Sequence, residues 1–303
     1  MDTLTMIRFR PLTLDAVDEI GPILEQSHSR TCDYTVAGLL MWSGYFHYEY
    51  AVIDDTLFIK GVTENDVARP AYSLPVGKMP TASAFAMLRD HCAASGEKLV
   101  LSAVPEDRVA ELCGMGPCEI EELTDWADYL YDASDLADLP GKKYNKKRNH
   151  INQFESAHPG YKSEMLSSVN IDAVKRFCEG LEIPMDDGYV TAEVEYEQVI
   201  KVLDNFARLP FEGLVLSTPA DGIVAFTVGE VVGDTLYVHI EKMNHRVNGA
   251  GEMINRLFAS EMRGRYGVRY INREEDVGDE GLRHAKQSYH PVAMLKKYNL
   301  TFG

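Results

Sequence analysis

The chain has 303 residues, of which 45% are hydrophobic and 25% charged, and its formal net charge is −17. That apolar content suffices for a packed core and excludes a disordered chain. No run approaches the ~18 uncharged apolar residues of a membrane span, and the first residues lack a basic stretch leading into an apolar core, so a leader is not expected and the protein reads as cytoplasmic.

Residues 7–10 read as a first strand. Thr13 is then placed to cap a helix in which Leu14, Val17, Ile20, Ile23 and Leu24 recur at helical spacing. A helix over Val36–Trp42 precedes strands Tyr48–Ile53 and Thr56–Lys60, joined through Asp54-Asp55, and a strand Ala71–Val76. Thr81–Ser95 reads as a helix ended by Gly96, followed by a buried strand Lys98–Ala103, a short helix after Pro105 and a strand near Asp128–Tyr131. Eight carboxylates lie between Glu119 and Asp138, and Leu139-Pro140-Gly141 then breaks the chain. Residues 1–140 hold 9 basic and 24 acidic groups, a balance of −15, whereas the remainder stands at −2. Two domains are therefore expected, an acidic one over 1–138 and a second over 139–303.

The second half opens with a basic helix, Lys142–Ser156, and a strand around Tyr161–Leu166. Helices near Ile171–Leu181 and Ala192–Leu209 precede three closely spaced strands, Glu212–Ser217, Gly222–Glu230 and Thr235–Lys242. A helix Gly251–Tyr266, a strand Val268–Asn272, a helix Glu280–Ser288 and a last strand Val292–Tyr298 complete the chain. Antiparallel hairpins with a single crossover predict an α+β fold with mixed sheets flanked by helices, not a doubly wound parallel sheet.

Five cysteines leave one unpaired however they are matched. Cys113 and Cys118 have no His or Cys cluster near them in sequence to complete a zinc site, so free thiols and no metal are expected.

The step from Thr235 to Phe258 carries a more specific signal. A half-buried strand runs into His245-Arg246-Val247-Asn248-Gly249-Ala250-Gly251, which opens an amphipathic helix. Glycines at such a turn let backbone N–H groups and the positive helix end face an anion. The pattern lacks the Lys-Ser/Thr of a P-loop and the third glycine of a dinucleotide fingerprint. Arg246-x-x-Gly249-x-Gly251 resembles the Q/R-x-x-G-x-G/A loop of the GNAT acyltransferase superfamily. The resemblance implies that Arg246, Asn248, Gly249, Ala250 and Gly251 surround the pyrophosphate of acetyl-CoA.

Two further stretches, Asn272 to Pro291 and Lys143-Tyr144-Asn145-Lys146-Lys147-Arg148-Asn149, resemble signatures of the family named for phosphatidylglycerol lysyltransferase. That resemblance implies two tandem GNAT-like domains, an aminoacyl-tRNA donor and a lipid amino or hydroxyl acceptor; related Fem-type enzymes use peptidoglycan precursors. No second glycine loop is legible in the first half, so no working site is expected there.

Lys143, Lys146, Lys147 and Arg148 form a positive stripe, read either as contacts to the donor's phosphates or an anionic membrane surface, or as a solvated face paired with the preceding carboxylates. Acyl transfer needs a base, oxyanion donors and an acid for the leaving group. Glu241, at the end of the strand before the glycine loop, stands where GNAT enzymes often present a carboxylate to the acceptor. Tyr289 matches the tyrosine that many of them use as general acid, and a phenol's ordinary pKa of ~10 suits that task. Arg283 and Lys286 share a helix face and are candidates for an anionic donor or acceptor.

The leading expectation is an acyltransferase moving an aminoacyl group from aminoacyl-tRNA to a small-molecule, lipid or peptide acceptor. No permanently bound cofactor is expected, and DNA is not an expected partner, because no broad basic face is present. An acetyl-CoA-dependent N-acetyltransferase is the alternative, and a non-catalytic binding protein on the same fold is the third reading.

Overall fold

Two mixed β-sheets organise the chain in a computed structural model that describes residues 6–181 and 192–303. In chain order the first elements are β1 (Arg10–Pro11), α1 (Val17–Leu24), α2 (Val36–Trp42), β2 (Glu49–Ile53), β3 (Thr56–Thr63), β4 (Asp66–Tyr72) and β5 (Val76–Gly77). They continue with α3 (Thr81–Ser95), β6 (Leu99–Pro105), α4 (Glu106–Cys113) and β7 (Cys118–Glu122). Next come β8 (Asp128–Asp132), α5 (Ala133–Asp138), α6 (Asn145–Ala157), β9 (Lys162–Met165), α7 (Ile171–Glu179) and α8 (Ala192–Asn205). The last are β10 (Phe211–Thr218), β11 (Gly222–Val232), β12 (Thr235–Met243), α9 (Ala250–Tyr266), β13 (Tyr270–Asn272), α10 (Glu280–Gln287), β14 (Ala293–Leu295) and β15 (Lys297–Phe302).

The first unit comprises residues up to Asp128 together with Leu295–Gly303. Its sheet has the order β1-β2-β3-β4-β6-β15-β7, with β5 beside β3. The expected boundary at residues 138 and 139 is therefore corrected. β8 belongs to the second sheet, and the last strand returns to the first. The expected single strand Val292–Tyr298 is in fact two, β14 in the second sheet and β15 in the first. A buried ionic group anchors the returning strand. Lys297, 1% exposed, lies 2.7 Å from Asp128 Oδ1 and 3.0 Å from Asp33 Oδ2. An ammonium taken out of water needs such partners, and both carboxylates that meet it lie in the first unit.

Two smaller expectations also change in this unit. The strand expected at Ala71–Val76 begins earlier, as β4, because Gly61 and Val62 of β3 pair with Ala71 and Pro70. Cys113, closing α4, is bonded to Cys118, opening β7, across a Cα separation of 5.8 Å. The expectation of free thiols thus holds only for the buried Cys32, Cys92 and Cys178. The tight α4–β7 turn brings the other two within bonding reach.

The second unit, Tyr129–Met294, has the sheet order β14-β8-β13-β12-β11-β10-β9. β12 and β13 run parallel, while β9, β10, β11 and β12 form an antiparallel series. Helix α9 buries Met253, Ile254, Phe258, Ala259 and Met262, and α6 contributes Ile151 and Phe154 to the same core. Each such large side chain contributes about 1.5–3 kcal/mol of apolar transfer free energy, so these two helices are fixed against the sheet and against each other. The fold is α+β, with mixed sheets flanked by helices, as expected.

Candidate functional site

The second unit's parallel pair ends unevenly. β12 and β13 pair from Thr235 with Tyr270 to Tyr237 with Asn272. β13 then stops, while β12 continues through His239 and Glu241 to Met243. The register against β11 shifts between Val228 and Gly229, which face Ile240 and Val238, so His239 is the extra residue of a bulge. Beyond β13 the chain turns sharply. Glu274 has a left-handed φ of 56° and donates its N–H to Asn272 Oδ1 at 2.6 Å. A non-glycine residue held there is strained, and such strain gathers at functional sites.

This turn directs Arg273 and Glu274 to different partners. Arg273 Nη2 donates to Glu241 Oε1 at 2.9 Å, with both side chains less than 15% exposed. Asn255 Nδ2 of α9 approaches the other oxygen of Glu241 at 3.4 Å. Glu274 Oε1 lies 2.6 Å from His239 Nδ1, and Glu230 Oε2 lies 3.8 Å from Nε2. The His239 side chain is 1% exposed, and burial alone would lower its pKa; the carboxylates of Glu274 and Glu230 outweigh that and raise it.

Tyr289, just after α10, is buried between these elements. Arg273 Cζ lies 5.0 Å from its ring centroid and Lys147 Nζ only 3.9 Å from it. Burial pushes the phenol's pKa well up, partly countered by Arg273, so the hydroxyl stays protonated. Its carbonyl accepts the Tyr144 hydroxyl at 2.9 Å, which ties the residue to the start of α6. Glu252, in the first turn of α9, takes His150 Nδ1 at 2.9 Å and Lys147 Nζ at 3.7 Å on one oxygen. Burial would raise this carboxyl's pKa, but the His150 bond and the Lys147 charge bring it down.

Among the residues selected from sequence, Glu241, Tyr289 and Lys147 come together here. The glycine loop adjoins them but is shaped by packing. Gly249 has φ 81°, and a Cβ on it would stand 2.4 Å from the His150 carbonyl oxygen and 3.0 Å from Phe154 Cβ. Asn248 Nδ2 donates to Gln153 Oε1 at 2.8 Å, so α6 is stitched along the loop. Ala250 is buried and starts α9, Gly251 abuts the Met243 sulfur, and Arg246 is exposed with its N–H on Asn244 Oδ1. Glu252 puts a carboxylate in the first turn of α9, a negative charge near the helix's positive end that a pyrophosphate would have to approach.

The remaining candidates lie elsewhere. Lys143 pairs with Asp135 at 2.7 Å, Lys146 is exposed, and Arg148 donates to the Leu139 and Gly141 carbonyl oxygens, holding the chain that enters α6. Arg283 grips Asp276 through Nε and Nη2 at 3.0 and 2.7 Å, and the Tyr129 hydroxyl donates to the same carboxylate at 2.6 Å. Tyr129's own pKa is pushed up to about 12 by burial and that carboxylate. Lys286 is buried with its Nζ on the Glu275 carbonyl oxygen. Arg148, Arg283 and Lys286 are among the residues expected to contact an anion. These side chains already serve protein acceptors, because the loops they bridge have unpaired carbonyls and carboxylates to satisfy.

Sequence reasoning missed Arg273, Glu252, His150 and Asn255. The available signal was Arg273 itself, directly after a strand that parallels the one carrying Glu241. In the first unit, a small, partly open pocket of about 10 Å³ beside Asp33, Tyr48, Glu64 and Tyr72 has room for about one water.

Comparisons with known proteins agree with this architecture. A solved structure of a conserved protein of unknown function from Bacteroides thetaiotaomicron is 34% identical, with a TM-score of 0.87, over 98% of this chain and all of that one. The structure of L-PGS from Bacillus licheniformis is 15% identical with a TM-score of 0.64, over 94% and 91% of the two chains. An uncharacterised protein of Mycoplasmoides gallisepticum is 23% identical over 180 residues. The match covers 56% of this chain and about half the length of that curated relative, 54%. Residues 24–301 match the family described as phosphatidylglycerol lysyltransferase, C-terminal. With nearly its whole length matched and both sheets accounted for, the chain belongs to that family.

Proposed function

We propose that the protein transfers an aminoacyl group from an aminoacyl-tRNA to an amine or hydroxyl acceptor of lipid or peptide type. Family membership supports an acyltransferase of the lysylphosphatidylglycerol synthase type. The observation that favours an aminoacyl-tRNA over acetyl-CoA is the seating of α6 on the glycine loop. The backbone of His150 fills the space a Gly249 side chain would take, and Glu252, in the first turn of α9, bonds the His150 ring. An anion placed there would meet a carboxylate, which disfavours a pyrophosphate. No described helix is long and apolar enough to cross a membrane.

Chemically, the cluster offers what ester aminolysis or transesterification requires. Arg273 is a cation fixed by Glu241, Tyr289 is a protonated phenol beside it, and Lys147 is an amine at the same ring. Holding the ester and the acceptor together in such a site replaces a bimolecular encounter, and no covalent enzyme intermediate is needed.

The test is transfer of radiolabel from charged tRNA. Purified protein is incubated with [14C]lysyl-tRNA and vesicles of phosphatidylglycerol, then with a mixed set of charged tRNAs and a peptidoglycan-precursor peptide, and products are separated by chromatography. Label moving into lipid or peptide is the expected result. No transfer from any charged tRNA, together with acetylation of an amine by [14C]acetyl-CoA, would replace this reading by the acetyltransferase one.

A further inference from the structure

The lysines of α6 face different surroundings. Lys146 is exposed, whereas the side chain of Lys147 retains only 14% of its exposure. A lysine rarely turns inward without a task or a partner. The groups around its Nζ come from four elements. Glu252 of α9 lies at 3.7 Å, and His150, one turn along α6, binds the same carboxylate oxygen. The ring of Tyr289, which follows α10, lies at 3.9 Å, and Arg273, after β13, stands over the same ring. Lys146 adds a second like charge on α6 itself.

This environment differs from that of an ordinary surface ion pair. Burial is the largest influence on the ammonium and lowers its pKa, Glu252 opposes that, and Arg273 and Lys146 add to the lowering. The other candidate base is less suited. Both oxygens of Glu241 are engaged, one by a guanidinium and one by an amide, so protonating it would break a partly buried ion pair. Of the two cations at the Tyr289 ring, Arg273 is held in its pair with Glu241 and stays protonated, whereas Lys147 can gain and lose a proton without dismantling that pair.

We propose that Lys147 is the proton acceptor of the acyl-transfer site and not a steering charge for the donor. The assignment rests on the aminoacyl-transfer reading above. A hydroxyl, or an amine that has shed its ammonium proton to water, attacks the ester carbonyl carbon and forms the new C–O or C–N bond. The nucleophile's proton passes to the neutral Nζ of Lys147. Collapse of the tetrahedral adduct breaks the ester C–O bond, its electron pair goes to the ribose oxygen, and that oxygen takes the proton back from Lys147. The lysine ends as it began, and one ester is exchanged for an amide or another ester.

Lys147→Arg and Lys147→Met separate charge from proton transfer, because an arginine stays protonated throughout the accessible pH range. In the lysyl-tRNA and phosphatidylglycerol-vesicle assay, both variants should lose kcat by about 10²- to 10⁴-fold. Lys147→Arg should still bind charged tRNA within about twofold of the parent, since the positive charge is kept. The parent's kcat should rise with pH to a plateau, and neither variant should show that limb. Lys147→Arg keeping a tenth or more of kcat with the parental pH profile would overturn the proposal. A second readout needs no turnover. Reductive ¹³C-methylation followed by NMR titration, with the Lys147 signal assigned by its absence in Lys147→Arg, should give a lower midpoint than Lys146. Equal midpoints would overturn the proton-accepting role even if the protein transfers aminoacyl groups. Failure of the parent to transfer any label would instead defeat the reading on which the role depends.

Discussion

Gly249→Ala tests whether the glycine loop is shaped by packing or by a ligand. The substitution places a Cβ 2.4 Å from the His150 carbonyl oxygen, 3.0 Å from its carbon and 3.0 Å from Phe154 Cβ, at a φ of 81°. Two of these atoms are main chain in the middle of α6, and Phe154 is fully buried, so the neighbour cannot swing aside. Left-handed backbone costs an L-residue ~1–2 kcal/mol, and overpacking against a fixed wall ~1–3 kcal/mol. Stiffening of the unfolded chain offsets only about 0.4–1 kcal/mol. A net loss of about 3 kcal/mol should lower the melting temperature of a unit this size by roughly 6–12 °C. Gly251→Ala is the control. Its Cβ would meet the Met243 sulfur at 2.5 Å, the far part of a flexible side chain, and Gly251 has no left-handed φ. It should change stability by less than ~1 kcal/mol, since alanine also favours the helix. Scanning calorimetry reads both, and hydrogen exchange should place the loosening of Gly249→Ala in α6. A Gly249→Ala protein melting within about 1 °C of the parent would refute the packing argument.

Lys297→Met should destabilise the first unit by about 3–5 kcal/mol, because it leaves Asp33 and Asp128 buried without their cation. Urea titration measures this, and recovery in Lys297→Met/Asp128→Asn should show that the uncompensated charge is the cause; a loss under ~1 kcal/mol would contradict it. His239 predicts a pH dependence. Its folded-state pKa is raised, so its protonation stabilises the fold fully below its unfolded pKa of ~6.5, and that contribution fades as pH rises through the folded value. Melting curves from acid to alkaline pH should therefore lose slope in His239→Gln, and an unchanged slope would assign the dependence to other groups.

Much of this molecule was readable locally. The alternation in Thr235–Met243, the glycine that opens α9 and the basic residues of α6 are written in short windows of sequence, and the elements formed where those windows are. Strands with weak local signals were less legible. β4 contains Asp66, Arg69 and Pro70, and β7 reads Cys-Glu-Ile-Glu-Glu, so each looks like loop until its neighbours are known. Candidate residues divided in the same way. Glu241 and Tyr289 could be named because each sits at a recognisable place relative to the glycine loop. Arg273 could not, because its importance comes from a turn that carries it to Glu241, 32 positions away in sequence.

The sequence by itself determined the helices, the strongly alternating strands, the α+β class and the family resemblance, because propensity, capping and hydrophobic period act over a few neighbouring residues. Tertiary structure decided which sheet the last strand joins, since β15 pairs with β6 and β7 and its Lys297 meets Asp33 and Asp128 there. It also decided the meaning of chemically similar residues. Lys146 faces water and Lys147 faces Tyr289, although they adjoin in sequence, because one turn of helix sends neighbouring side chains about 100° apart. Gly249 is demanded by a helix that departs about a hundred residues earlier, a requirement that exists only once α6 and α9 are packed.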